Sequence, residues 1–250
     1  MLEIFLASLG MFVGELYGNM VGGGSLVTQT VLQSILHIDI KSAIALDNAA
    51  IVGSALGMIL IMFRKYAIRW WFLVFIMFQV LGYVLGAWLL VKIDPKLLKI
   101  IFVLAVISLV VKNFFIPEKK HHEKGFQVSF GKMIFMSIFA VLLGIYSAAF
   151  VVGDWIISLL VLTNLFSVRY QNAVFLLVLS EVFSHPWSAY QYYVHGLLDL
   201  NFFIPMALAA FLSGMIAGMI LNKINTKKLE IFLKYFSFVL VVYLIFGVFV

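Results

Sequence analysis

A run of glycines inside otherwise unbroken apolar sequence constrains this chain more than any other stretch: Gly14-Glu15-Leu16-Tyr17-Gly18-Asn19-Met20-Val21-Gly22-Gly23-Gly24-Ser25. Three consecutive glycines weaken a helix and free φ, so a helix entering this run is expected to open and bare its amide groups. Gly14, Gly18 and Gly22 also form a GxxxG ladder, the pattern of a close helix crossing. The ladder accounts for the spaced glycines but not for the triplet. At bilayer depth, bare backbone has to be buried in protein or line a wet cavity, which makes Gly22, Gly23, Gly24 and Ser25 candidate ligand-binding residues.

The surrounding composition puts the run at that depth. Of 250 residues, 64% are hydrophobic and only 11% charged, and the mean hydropathy is +1.14. No water-soluble domain sustains such values, so the chain reads as an all-α integral membrane protein. Residues 1–20 lack a basic n-region and a small-residue cleavage site, and are expected to be a retained span and not a signal peptide. There is no cysteine, hence neither disulfide nor thiolate metal site. The formal charge of +6 sits in the connectors and speaks of membrane topology, not of nucleic-acid affinity.

Taken in order, residues 2–20 can span, and 26–36 are apolar but only about half a bilayer long. That pair is a broken helix or a re-entrant hairpin. Residues 43–63, 70–91 and 97–115 can each cross the roughly 30 Å hydrocarbon layer. The long polar stretch 117–132 divides the chain into a first repeat (1–116), a cytoplasmic linker and a second repeat (133–250). Shifting by about 130 positions sets Gly14 on Gly144, Gly23 on Gly153, Ala43 on Ala173 and Ser54 on Ser184. Gly82 and Gly86 likewise meet Gly214 and Gly218. The second repeat runs through 133–152, a break at Gly153-Asp154, a short 155–166, then 173–194, 202–221 and 229–250. Duplications of this kind build many secondary transporters, with the site between repeats near the midplane.

Charge decides the expected orientation. If each broken pair crosses twice or not at all, the repeats are inverted. One face then collects Arg64, Lys65, Arg69, Lys119, Lys120, Arg169, Lys223 and Lys227 among others, while the opposite face keeps Lys41, Lys92, Lys96 and Lys99. Parallel repeats would divide them almost evenly. Cytoplasmic loops collect Lys and Arg, so two inverted repeats with both termini outside are expected, each a Gly-broken or re-entrant pair followed by three transmembrane helices.

Ionisable groups within spans cost roughly 2.5–3.5 kcal/mol each on insertion scales and are functional candidates by default. Five qualify: Glu15, Asp47, Asp154, Glu181 and His185. Glu15 and Asp154 belong to the glycine breaks; Asp154 could also simply cap the helix opening at Trp155. Asp47 lies beside Asn48. Glu181 and His185 are spaced i,i+4 and can pair on one helix face, either as a structural pair or as a proton site, with Pro186 freeing the carbonyl of Val182. At the repeat offset Glu181 faces Ile51, His185 faces Ala55 and Asp47 faces Leu177, so the repeated fold requires none of these charges. Ser184 and His185 are neighbours that point apart on a helix, which argues against a serine protease. His121-His122 falls in the polar linker, and nothing implies a cofactor or a resident metal.

At the glycine break, the short apolar segment, the Ala-led span and the basic-ended spans Gly82-x3-Gly86…Lys92 and Gly214-x3-Gly218…Lys223, the chain resembles the TauE/SafE (sulfite exporter) transporter family. The resemblance covers nearly the whole chain. It implies movement of sulfur-containing anions such as sulfite and organosulfonates across the cytoplasmic membrane, with no enzymatic activity. The chain departs from the family pattern at Gln29, where a proline is usual, and at Ala45-Leu46-Asp47, where Gly-Thr-Ser is usual. Helix starts at Ser25 and Trp155 would suit an anion. The expected substrate residues are Gly22, Gly23, Gly24, Ser25, Gly153, Asp154, Trp155 and Asn48; the expected proton-coupling residues are Glu181, His185 and Asp47. The partners are then a small-molecule anion and the lipid bilayer, with room for a homodimer. Two other readings stay open: a cation or amine carrier using Asp47, Glu181 and Asp154, and a channel or assembly protein without a transport cycle.

Overall fold

The computed structural model describes residues 1–63, 65–98, 100, 104 and 129–221. Most of the span expected at 97–115, all of that at 229–250 and nearly all of the linker lie outside those residues. The first half comprises α1 (Leu2–Val21), α2 (Gly24–Gln29) running into a π-helical turn (Thr30–Ile35), α3 (Ile40–Met62) and α4 (Trp70–Lys92). The second comprises α5 (Phe130–Phe150), α6 (Asp154–Leu160) with its own π-helical turn (Val161–Leu165), α7 (Tyr170–Val194) and α8 (Leu200–Ile220). Among the described helices, α3, α4, α5 and α8 are long and apolar enough to cross a membrane. The molecule is a helical, multi-pass membrane protein.

Local sequence explains the boundaries. Asp39 ends the connector before α3, and its side chain accepts hydrogen bonds from the amides of Lys41 and Ser42, both at 3.1 Å. Such a cap contributes about 1 kcal/mol. Asp199 does the same for α8 through the Asn201 amide at 2.8 Å. Lys41 Nζ donates to the carbonyl of Val91 at 2.8 Å, tying the start of α3 to the last turn of α4. A cation suits that end of a helix.

The two halves repeat each other down to the backbone. Gly23 and Gly153 precede the two short helices at φ 83° and 80°. After each π-helical turn, Leu36 N donates to Val31 O and Phe166 N to Val161 O. The turns then leave through His37 and Ser167, non-glycine residues at φ 54° and 55°.

Packing exchanges elements between the halves. α1 lies on α8, while its counterpart α5 lies on α4, the counterpart of α8. Small residues permit the tightest crossings: a Cβ on Gly214 would run into the carbonyl of Ser54 on α3, and one on Gly144 into that of Gln79 on α4. α3 is the innermost of these helices, buried along most of its length, with Asp47 and Asn48 fully enclosed. Both glycine breaks are thereby brought to the middle of the molecule.

Candidate functional site

The breaks meet at a cavity of about 370 Å³, counted out to its open side. The first break contributes Gly23, Gly24 and Ser25, the second Val151, Gly153, Asp154 and Trp155. α1 adds Glu15, Gly18 and Asn19, α3 adds Ile51, and α7 adds Glu181. The GxxxG ladder and the triplet serve one arrangement. Gly14 and Gly18 of α1 form the seat on which Gly24 packs, with no room for a side chain on any of the three. Gly22 stands just outside the lining, wedged against Ile156 of the second break. Gly23 has ordinary space, its ideal Cβ position lying 3.7 Å from Leu26 Cδ1.

The second break is built differently. Val151, a buried β-branched residue, ends α5 at φ 56°, where such side chains are strained. Tyr146 OH holds the turn by donating to the Val152 carbonyl at 2.7 Å. Asp154 opens α6 and accepts from the Trp155 amide at 2.7 Å, using its own first turn.

The acidic groups converge without a base. Asp154 acts electrostatically on Glu15, Asp47 and Glu181, and Glu15 on Asp47 and Glu181. Like charges so placed repel, and among the described residues no lysine, arginine or histidine lines the cavity to offset them. Glu15 is clasped from its own helix: Asn19 Nδ2 lies 3.5 Å from Glu15 Oε2, 2.7 Å from the Glu15 carbonyl and 2.6 Å from Ser54 Oγ of α3. Glu181 is half-buried and has no hydrogen-bond partner among the described residues.

Besides Gly22, three of the expected site residues stand apart from the cavity lining. Asn48 is the hub of a fully buried network in which its Oδ1 accepts from His185 Nδ1 at 3.1 Å and Ser188 Oγ at 2.8 Å, and its Nδ2 donates to Ser147 O at 3.0 Å. Because Oδ1 can only accept, His185 carries its proton on Nδ1, and Nε2 is left to accept from Tyr83 OH at 3.5 Å. His185 is therefore satisfied by Asn48 and Tyr83 and does not bond Glu181, although the two share a helix. The i,i+4 spacing permitted a pair; the neighbours on α3 and α4 took the imidazole instead. Asp47 accepts from Gln29 Nε2 at 2.9 Å, Gln29 Oε1 accepts from Gln33 at 2.6 Å, and Asp47 Oδ1 has no partner.

Asn19, Tyr83, Ser147 and Ser188 did not stand out in the sequence, and Gln29 did so only as a departure from the family pattern, not as a partner of Asp47. Asn19 could have been found one helical turn from Glu15 inside the glycine run. Gln29 could have been read against Asp47, because the two positions where the chain departs from the family pattern bond each other.

A family model described as sulfite exporter TauE/SafE matches residues 6–244. Neither a curated protein nor a solved structure matches the chain. Matched over nearly its whole length, with two glycine breaks closing on one cavity among membrane-length helices, the chain belongs to the TauE/SafE family of membrane transporters.

Proposed function

We propose that the chain is a secondary transporter that carries a small sulfur-containing anion across the cytoplasmic membrane, coupled to protons through Glu181. One observation carries this reading: the two breaks, each opening a short helix, share a single cavity with a carboxyl group that has no partner of its own. The first amides of a helix have no preceding turn to bond, so the start at Ser25 offers donors to an anion, while at the second break Asp154 itself takes the Trp155 amide. Glu181 adds the group whose charge has to change. A fixed carboxylate would oppose the anion, whereas a protonated one admits it, and the proton then travels with the cargo. Asp47 and His185 are placed behind this wall, where they hold α2 and α7 in position.

The acidic lining favours a second reading, a carrier of cations or amines. Titration calorimetry on the purified protein separates the two: sulfite should bind more tightly as pH falls, and Glu181→Gln should bind it with little dependence on pH. Binding of simple amines without binding of sulfite would favour the carrier of cations.

A further inference from the structure

Asn19 of α1 lines the cavity and is only 6% exposed, and its side-chain amide can sit in one orientation alone. The nitrogen lies 2.7 Å from the Glu15 carbonyl oxygen and 2.6 Å from Ser54 Oγ. A backbone carbonyl only accepts, so the atom facing it has to be the NH2 group, and the amide cannot be turned over. Both of its hydrogens are then spent on the protein. Ser54 Oγ accepts one of them and keeps its own proton for the Glu15 carboxyl beside it, so it has none to return to Asn19. Asn19 Oδ1 is left over. It has no hydrogen-bond partner among the described residues, yet it is not one of the enclosed side-chain atoms without a partner, so it opens to the cavity.

The repeated fold does not require this group. At the offset of 130 the position of Asn19 is taken by Ala149, a buried residue with no polar side chain. A side chain locked by two hydrogen bonds, with its oxygen turned toward the cavity, is a fixed acceptor on the wall. A fixed acceptor is complementary to a donor on the ligand. A plain alkanesulfonate carries acceptor oxygens only, and once it has displaced water from the cavity Oδ1 would go unpaired, at the cost of an orphaned polar group.

We propose that Asn19 Oδ1 is a specificity-determining acceptor, and that the cargo is a small sulfonate with an uncharged hydroxyl group near its acidic end, the hydroxyl donating to Oδ1. The inference rests on the reading of the cavity as the site of a sulfur-containing anion, and it narrows that class to hydroxysulfonates. α1 and α2 touch at Gly18 and Gly24, so Asn19 and Ser25, the residues that follow these two, border the same contact. An acidic group at the start of α2 therefore leaves the hydroxyl a short reach from α1. An uncharged donor makes no demand on the protonation of Glu15 or Asp154, and Glu181 keeps its separate task.

The test compares two monoanions of closely matched shape by titration calorimetry on the full-length protein in detergent at neutral pH: 2-hydroxyethanesulfonate and 1-propanesulfonate, which has a methyl group where the first has its hydroxyl. Sulfite is the third ligand. The hydroxysulfonate should bind about tenfold more tightly than the propanesulfonate, and in Asn19→Ala the two should bind alike. The ratio of the two affinities is the informative quantity, because a variant that merely loosens α1 weakens both ligands together and leaves the ratio unchanged. The comparison within the wild type needs no variant to fold. Propanesulfonate bound as tightly as the hydroxysulfonate, or more tightly, overturns the hydroxyl and leaves the anion reading standing, as does binding of sulfite without either sulfonate. A tenfold ratio that survives in Asn19→Ala overturns the role given to Asn19. Silence from all three ligands overturns both the hydroxysulfonate and the anion reading.

Discussion

Gly22 of the first break and Ile156 of the second are packed so closely that a Cβ on Gly22 would overlap Ile156 Cγ1, with Trp155 Cδ1 at 3.3 Å. The two halves of the chain touch here, at the rim of the cavity. Gly22 also sits at φ 86° and ψ 160°, a region essentially reserved for glycine. Gly22→Ala should lower stability by about 1–3 kcal/mol from strain alone, with a further loss from displacing Ile156. Gly23→Ala, in the left-handed region but with space around it, should cost only about 1–2 kcal/mol. Thermal unfolding in detergent checks the order, and a milder effect at Gly22 than at Gly23 would contradict this packing.

The network around Asn48 predicts a graded result. Asn48→Ala strips a partner from His185, Ser188 and the Ser147 carbonyl; Ser188 Oγ keeps the His185 carbonyl at 3.0 Å and the Ser147 carbonyl keeps the Val151 amide at 3.0 Å, so the buried group left without a partner is His185 Nδ1, at a cost of about 1–3 kcal/mol. Tyr83→Phe removes one long contact of 3.5 Å, and should cost less than about 1 kcal/mol. Denaturation of the two variants side by side measures the difference; equal losses would mean that Asn48 is not the hub.

A coupling between Gln29 and Asp47 follows from their bond at 2.9 Å. Gln29→Leu leaves Asp47 without any partner in a fully buried place, and should destabilise by about 1–3 kcal/mol or more because the group is acidic. Adding Asp47→Leu removes the orphan, so the double variant should be more stable than Gln29→Leu alone. A double-mutant cycle on unfolding free energies gives the answer. Additive losses would show that the pair is not coupled.

The orientation of the repeats is open to a direct chemical test, since the chain is free of cysteine. Lys65 and His195 occupy equivalent exposed connectors in the two halves. With inverted repeats, cysteines at these positions should react with an impermeant thiol reagent from opposite sides of the membrane, Lys65→Cys from the cytoplasm. Labelling from one side would establish parallel repeats.

How much of this was legible in the sequence depended on whether the cause was local. The triplet Gly22-Gly23-Gly24 signalled a break because a helix cannot ignore three residues without side chains. The offset of 130 signalled the second break at Gly153 because duplication preserves spacing even where Gly24 has become Asp154. Helix lengths were close: the span read at 202–221 appears as Leu200–Ile220. The fate of His185 was not legible, since the residues that bind it, Asn48 and Tyr83, lie 137 and 102 positions away. Periodicity along α7 placed His185 on the same face as Glu181 but carried no information about which helix would stand opposite. Glu15 was ambiguous for a similar reason. Only the packing of α1 against α3 shows that it faces a cavity and not the membrane surface.

The central claim is that Glu181 carries the proton that accompanies the cargo. The measurement that tests it most directly is the initial rate of sulfite flux into proteoliposomes with and without an imposed pH gradient, for the wild type and for Glu181→Gln. The wild type should respond to the gradient by at least several-fold, while Glu181→Gln, which mimics the protonated carboxyl, should still bind sulfite and show no response. A Glu181→Gln protein that follows the gradient as the wild type does would contradict the claim.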